Sequence, residues 1–227
     1  MDSTIFYSLF RMKNTEIIYV QKRGFTVDPG YQRLMGNYKT FVAHLKSEYD
    51  RSERRTYREL LSMSYTSADG KVLYIYYAAT PSSETIGKET ILTFREKIEE
   101  FKADQAIIVT ALALGSAAAD EFLKLRNPLQ LIHAFNDSFL MFDHSKHVFI
   151  PESHLLSSDE KKKFLDTTKI ALDKLPIICA NDPIVVIYGA RNNDIIRSVN
   201  MKSQLDLHPD VSYRRVIVGD MPRAKKK

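Results

Sequence analysis

With 227 residues, 44% of them hydrophobic and 27% charged, the chain has the make-up of one large or two modest globular domains, and disorder and a membrane class are both disfavoured. Its net charge of +5 permits a polyanionic partner without demanding one. The single cysteine, Cys179, excludes an intramolecular disulfide framework and any Cys-rich zinc site, and beside Ile177 and Ile178 it reads as a small apolar core residue.

The apolar run at 5–10 is soon interrupted by Arg11 and Lys13, too early for a signal peptide or a membrane span, and points to an intracellular protein. Phe6, Leu9, Phe10, Ile17 and Val20 recur at helical spacing, and Lys22-Arg23-Gly24 supplies a basic last turn and a glycine stop. Asp28-Pro29 opens a second helix whose apolar stripe runs without a break through Tyr31, Leu34, Met35, Tyr38, Phe41, Val42, Leu45 and Tyr49. If that helix continued, Arg51, Arg54, Arg55 and Arg58 would share one face. Such a face could meet phosphates, or stand in water partly neutralised by Glu48, Asp50, Glu53 and Glu59.

Strands are expected at 60–65 and 72–77 around the turn Asp69-Gly70. After a polar connection at 81–87, Ile91, Phe94, Ile98 and Phe101 predict a helix over 88–102, and the apolar run 106–112 suits a buried strand. Ser116 caps the next helix, which stops at Asn127-Pro128, and 129–135 and 139–142 are further strands. The order suits a sheet flanked by helices.

The stretch 143–146 reads as a boundary, after which the apolar pattern restarts at 148–150. Ser157 and Glu160 have the spacing of a capping box for a helix running through Lys161, Phe164, Leu165 and Thr168, and Lys161-Lys162-Lys163 reads as its solvated face. Asp182-Pro183 starts another helix and Gly189 stops it. Ile195, Ile196 and Val199, then Val211, Val216, Ile217 and Val218, give two strands joined by a long loop. The tail from Pro222 to Lys227 is basic.

Between Pro151 and Val218 no nucleophile is paired with a base, no glycine-rich phosphate loop occurs and no metal-ligand set has the usual spacing, and neither cofactor nor metal is expected for the chain. His144, His147 and His154 do not fall on one helix face, and Pro151 interrupts them. A metal-dependent nuclease would need Glu-x-Lys near a strand end, whereas Glu100-Phe101-Lys102 falls at the end of a predicted helix. A free-standing DNA-binding regulator is the remaining alternative.

One ordered set of signals carries a resemblance: Pro151-Glu152, Leu175-Pro176, Asp182-Pro183, Tyr188-Gly189, Asp194-Ile195-Ile196-Arg197 and Tyr213-Arg214. It resembles the carboxy-terminal assembly domain of the fifth subunit shared by eukaryotic nuclear RNA polymerases I, II and III, a family that includes the archaeal counterpart of that subunit. The first half resembles the same subunit's amino-terminal jaw domain in order and patches, including Arg23-Gly24-Phe25, Ile86-Gly87-Lys88, Ala106-Ile107-Ile108-Val109 and Gly115-Ser116-Ala117. The fold this implies is α/β plus α+β: a jaw domain with a mixed, helix-flanked sheet over 1–142, a linker at 143–146, a small α+β assembly domain over 147–221, and a basic tail at 222–227.

The resemblance implies a non-catalytic subunit of a DNA-directed RNA polymerase, one copy per complex, acting in transcription. It would dock on the largest subunit through the carboxy-terminal domain and hold the jaw near downstream double-stranded DNA. The partner-binding residues it implies are Pro151, Glu152, Leu175, Pro176, Asp182, Pro183, Tyr188, Gly189, Ile195, Ile196 and Arg197. The DNA-proximal ones are Arg51, Arg54, Arg55, Arg58, Gly115, Ser116 and Ala117. Ser153 stands where the family has His, Ser116 where it has Pro, and Asn200-Met201-Lys202 where it has Arg-Pro-Ser. A divergent protist, with a nuclear location, or a large DNA virus, with a cytoplasmic factory and virion, would suit such drift.

Overall fold

The computed structural model describes residues 3–52, 56–125, 131–147, 150–200 and 210–217. The chain divides into two compact units, Met1–Asp143 and His144–Lys227. Both mix helices with a four-stranded mixed sheet.

In the first unit, α1 (Ser3–Lys22) buries Phe6, Leu9, Met12, Ile17 and Val20 along one stripe. Gly24 ends it at φ +83°, a conformation that costs glycine nothing, and the Phe25 amide reaches back to the Val20 carbonyl at 3.1 Å. The single long helix expected after Asp28 is instead two, α2 (Pro29–Gly36) and α3 (Tyr38–Arg51). The break is at Asn37, extended at φ −112°, whose side chain accepts from the Lys39 and Thr40 amides and so caps the second helix. The apolar stripe crosses this break, which hides it from periodicity.

The sheet has the order β1 (Met63–Thr66), β2 (Val72–Tyr77), β3 (Gln105–Thr110), β4 (Leu131–Asn136). The first pair is antiparallel and the other two are parallel. The first expected strand starts later than the sequence suggested, because Glu59–Leu61 form a 3-10 turn. On one face α4 (Lys88–Glu100) and α5 (Ser116–Leu125) bring Ile91, Phe94, Ile98 and Phe122 onto Tyr74, Ile108 and Ile132. On the other, Tyr19 and Val20 of α1 meet Ile75, Ile107, Val109 and Phe135.

The strand expected at 139–142 is not one. Asn136 accepts from the Ser138 amide at 3.0 Å and starts a helical turn, α6 (Asp137–Leu140). Phe139 there packs on Tyr19 and Phe135, so the aromatic residues that resembled a strand fill the core beside α1.

The second unit holds β5 (Glu152–Leu155), α7 (Ser158–Thr168), β6 (Ile177–Cys179), α8 (Pro183–Tyr188), β7 (Ile195–Asn200) and β8 (Asp210–Ile217). Its sheet order is β5-β7-β8-β6, with only the β6–β8 pair parallel. Periodicity missed β5 and β6, which have four and three residues, too few to alternate legibly. Ser157 and Glu160 form the capping box of α7. Cys179 is a correction: it is exposed, because it lies with exposed Ile177 on the outward side of an edge strand, while Ile178 between them enters the core. The segments 201–209 and 218–227, with Val218 and the basic tail, lie outside the described residues.

Candidate functional site

Strand register sorts the second unit's side chains between two faces. Ile178, Ile196 and Val216 point to one face, where Val185 and Ala190 cover them from α8 and the turn after it. The opposite face carries Glu152 and His154 on β5, Ile195, Arg197 and Val199 on β7, and Val211, Tyr213 and Arg215 on β8. Phe164 of α7 stacks on Tyr213 with ring centroids 4.2 Å apart, and Ile195 is fully buried at that end. At the other end, Glu152, His154 and Val211 are exposed and Arg197 and Val199 half-buried, leaving a mixed apolar and charged patch.

The sequence-predicted assembly residues therefore divide. Asp182 accepts from the Ile184 amide at 2.9 Å as the cap of α8, with Pro183 at the first helical position. Gly189 ends α8 at φ +61°, its amide directed to the Val185 and Val186 carbonyls. The Tyr188 hydroxyl donates to the Ser153 carbonyl and fastens α8 to the edge strand β5. Leu175, Ile195 and Ile196 are core. Pro151 accepts the Ser153 hydroxyl at 3.0 Å, and the exposed Pro176 accepts the Arg215 amide at 2.7 Å. Glu152 and Arg197 belong to the open patch, whereas Pro176 borders β6, at the far edge of the sheet.

Val199 and Val211, directly paired across β7 and β8, are members of the patch that sequence reasoning missed. Two valines facing each other at the loop ends of the strands were a usable signal once the register was known. Ser153 and Ser198 also pair across β5 and β7, with their hydroxyls 3.0 Å apart.

In the first unit the arginine face does not form, because the helix on which it depended ends at Arg51 and Ser52 takes the C-cap. Arg51 is 75% exposed beside Glu48 at 3.5 Å. Arg54 and Arg55 lie outside the described residues. Arg58 is turned inward: its Nε donates to the Ala78 carbonyl at 2.5 Å, Nη2 to the Val109 carbonyl at 3.1 Å, and both terminal nitrogens to the Asp137 carboxylate at 2.6 and 2.5 Å. A guanidinium used this way ties 56–61 to the strand ends and, nearly buried and neutralised by Asp137, offers little to a phosphate.

Gly115 follows β3 and bridges to Ile86 through its amide at 3.0 Å. A methyl group there would sit 3.3 Å from the Ile86 carbonyl and 3.2 Å from the Thr85 hydroxyl, a tight fit in which those groups would have to give by a few tenths of an ångström. Ser116 and Ala117 are exposed on the first turn of α5. The considered Glu100-Phe101-Lys102 closes α4 just before β3, with Glu100 paired to Lys97 at 2.6 Å and Phe101 stacked on Tyr74.

The first unit also contains a buried polar centre. Lys13 donates to Glu16 at 2.8 Å and to the Leu61 carbonyl at 2.9 Å, and Glu16 accepts the Tyr65 and Tyr77 hydroxyls at 2.6 Å each. Burial would lower the Lys13 pKa, but Glu16 first, then Tyr65 and Tyr31, reverse this and raise it. Burial, followed by the Glu16 charge, pushes both phenols up and keeps them as donors. The arrangement fixes α1 on the sheet and has no reacting group open to solvent.

Comparison with known proteins gives a consistent picture. The family model for RNA polymerase Rpb5, C-terminal domain, matches residues 142–216. The chain is 24% identical over 215 residues to the DNA-directed RNA polymerases I, II, and III subunit RPABC1 of Caenorhabditis elegans, covering 93% of this chain and 96% of that protein. It is similar to the same-named subunit of Dictyostelium discoideum at 24% identity, over 74% of this chain and 84% of that one. With the DNA-directed RNA polymerase subunit Rpo5 of Thermococcus kodakarensis it shares 41% identity over 87 residues, which is 38% of this chain and 99% of the archaeal protein.

Proposed function

The chain belongs to the Rpb5 family of RNA polymerase subunits, and from that premise we propose that it docks on the largest subunit of a nuclear polymerase through its second unit and extends its first unit beside downstream double-stranded DNA. As a family member it is a polymerase subunit and not an enzyme in its own right. The observation that carries the reading is the near end-to-end match to a subunit shared by polymerases I, II and III, covering 93% of this chain.

The docking surface on this reading is the open patch of Glu152, Arg197, Val199 and Val211. Apolar valines flanked by Glu152, Arg197 and His154 suit a protein interface, where area is excluded from water at the centre and charge sets register at the rim. Leu175, Tyr188, Ile195 and Ile196 serve assembly indirectly, by holding that patch in shape. For DNA, Arg51, Ser116 and Ala117 remain the described residues with exposed side chains, and their part would be sequence-independent grip. One copy per complex, located in the nucleus, completes the proposal.

An affinity purification of the tagged full chain at moderate salt, with quantitative mass spectrometry, tests it. Recovery of the two largest polymerase subunits at near-equal stoichiometry is expected. Recovery of the chain alone, or with DNA only, would overturn the reading in favour of a free-standing regulator.

A further inference from the structure

A groove of about 400 Å³ opens in the first unit where the loops leaving β2 and β4 meet the first turns of α1. It lies at the carboxyl ends of parallel strands, the end of an open sheet at which diverging loops leave room for ligands. Its floor is the Arg58–Asp137 pair, with side chains 9% and 26% exposed.

A guanidinium has five N–H donors, and four of Arg58's are engaged, by Ala78, Val109 and the two Asp137 oxygens. One N–H on Nη1 is uncommitted among the described residues, and each Asp137 oxygen keeps acceptor capacity beside it. A donor thus lies next to an acceptor in a pair whose charges cancel. That pattern matches a neutral amide, with its own N–H and C=O, better than a phosphate or an ammonium, neither of which gains from a neutral pair.

Leu9 and Met12 are buried at the groove's base and Ile5 stands 51% exposed at its rim. Tyr57, which also lines the groove, is braced edge-on by Phe6 at 5.0 Å and stacked on Tyr49 at 4.2 Å, and Tyr49 is itself 40% exposed. The hydroxyls of Thr4, Tyr57 and Thr80 have no hydrogen-bond partner among the described residues.

We propose that this groove is a docking site for an extended segment of a partner protein, which seats a large apolar side chain between Ile5 and Tyr57 and sets a backbone amide on the Arg58–Asp137 pair. The apolar rim at Ile5 and Tyr49 reaches beyond the groove, which favours a chain over a small molecule. The neutral floor selects an uncharged peptide group.

The test is an NMR titration of the labelled full chain with N-acetylphenylalanine amide and, separately, inorganic phosphate. Saturable shifts at the Ile5, Tyr57 and Thr80 amides are expected with the amide probe only. Thr80→Trp, which fills the groove from an exposed position, and Ile5→Asp should each weaken binding by at least about tenfold, with the remaining spectrum unchanged. Absence of saturable shifts, shifts indifferent to both substitutions, or saturation by phosphate instead would overturn the proposal.

Discussion

Replacing Glu16 by alanine removes the acceptor that holds a fully buried ammonium. Lys13 would keep one hydrogen bond, to Leu61 at 2.9 Å, and the Tyr65 and Tyr77 hydroxyls would both lose their acceptor. Breaking a buried pair on one side costs about 3–5 kcal/mol, because the surviving charge is left uncompensated. The expected loss is therefore at least about 4 kcal/mol, which at about 2 kcal/mol per molar urea moves the midpoint of the first unit down by about 2 M or more. Hydrogen exchange on β2 and β3 amides, read across a urea series, isolates this unit from the other. The decisive companion is the double variant Lys13→Met, Glu16→Leu, which removes both charges at similar volume. It should lose less than the single variant by the cost of the uncompensated charge, keeping only that of the two orphaned phenols, about 1–3 kcal/mol each. A Glu16→Ala variant within about 1 kcal/mol of the parent, or a double variant as weak as the single, would refute the claim that uncompensated charge dominates the cost.

Arg58→Ala should behave as a core lesion, lowering stability by about 3–5 kcal/mol, whereas Arg51→Ala should leave the melting temperature unchanged and alter only retention of downstream DNA at low salt; calorimetry and a salt-dependent gel shift separate the two. Asp182→Ala and Gly189→Ala, at the two ends of α8, should each cost about 1 kcal/mol, the first by losing the cap and the second by strain at φ +61°, measured by chemical denaturation of the second unit. The Glu160 carboxylate is held below the usual range, first by the Ser157 amide and then by the Ser157 hydroxyl. A lowered folded-state value contributes stability that is complete above the ordinary glutamate range and lost as pH falls through the lowered value. The protection of the α7 amides, taken relative to their intrinsic exchange rate at each pH, should therefore fall in acid, and Ser157→Ala should weaken this pH dependence.

Features set by neighbours in sequence were the legible ones. Asp28, Ser157 with Glu160, and Asp182 announced helix starts because the cap bond spans only two or three residues, and Gly24 and Gly189 announced stops because the left-handed turn favours glycine. Asn37 used the same chemistry but sat inside an unbroken apolar stripe, so the stripe outweighed it. Arg58 was misread because its partner Asp137 lies 79 residues away, and four arginines at helical spacing say nothing of where the helix ends. Lys13 and Glu16 did leave a trace, since two opposite charges three apart within the stripe of Phe6, Leu9, Met12, Ile17 and Val20 have to be paired when that stripe is buried. The second unit's open patch was half legible: Glu152 and Arg197 lay in the recognised motif, while Val199 and Val211 became neighbours only through the antiparallel register of β7 and β8.

The most direct measurement of the central claim is the copy number of the largest polymerase subunit retained by the tagged full chain, compared between the parent and the variant Arg197→Glu, Val211→Glu, both checked for an unchanged melting curve. Docking through the open patch predicts near-equal stoichiometry for the parent and a loss of at least about tenfold for the variant. Equal retention by both would contradict the assignment of that face, and retention by neither would contradict the docking itself.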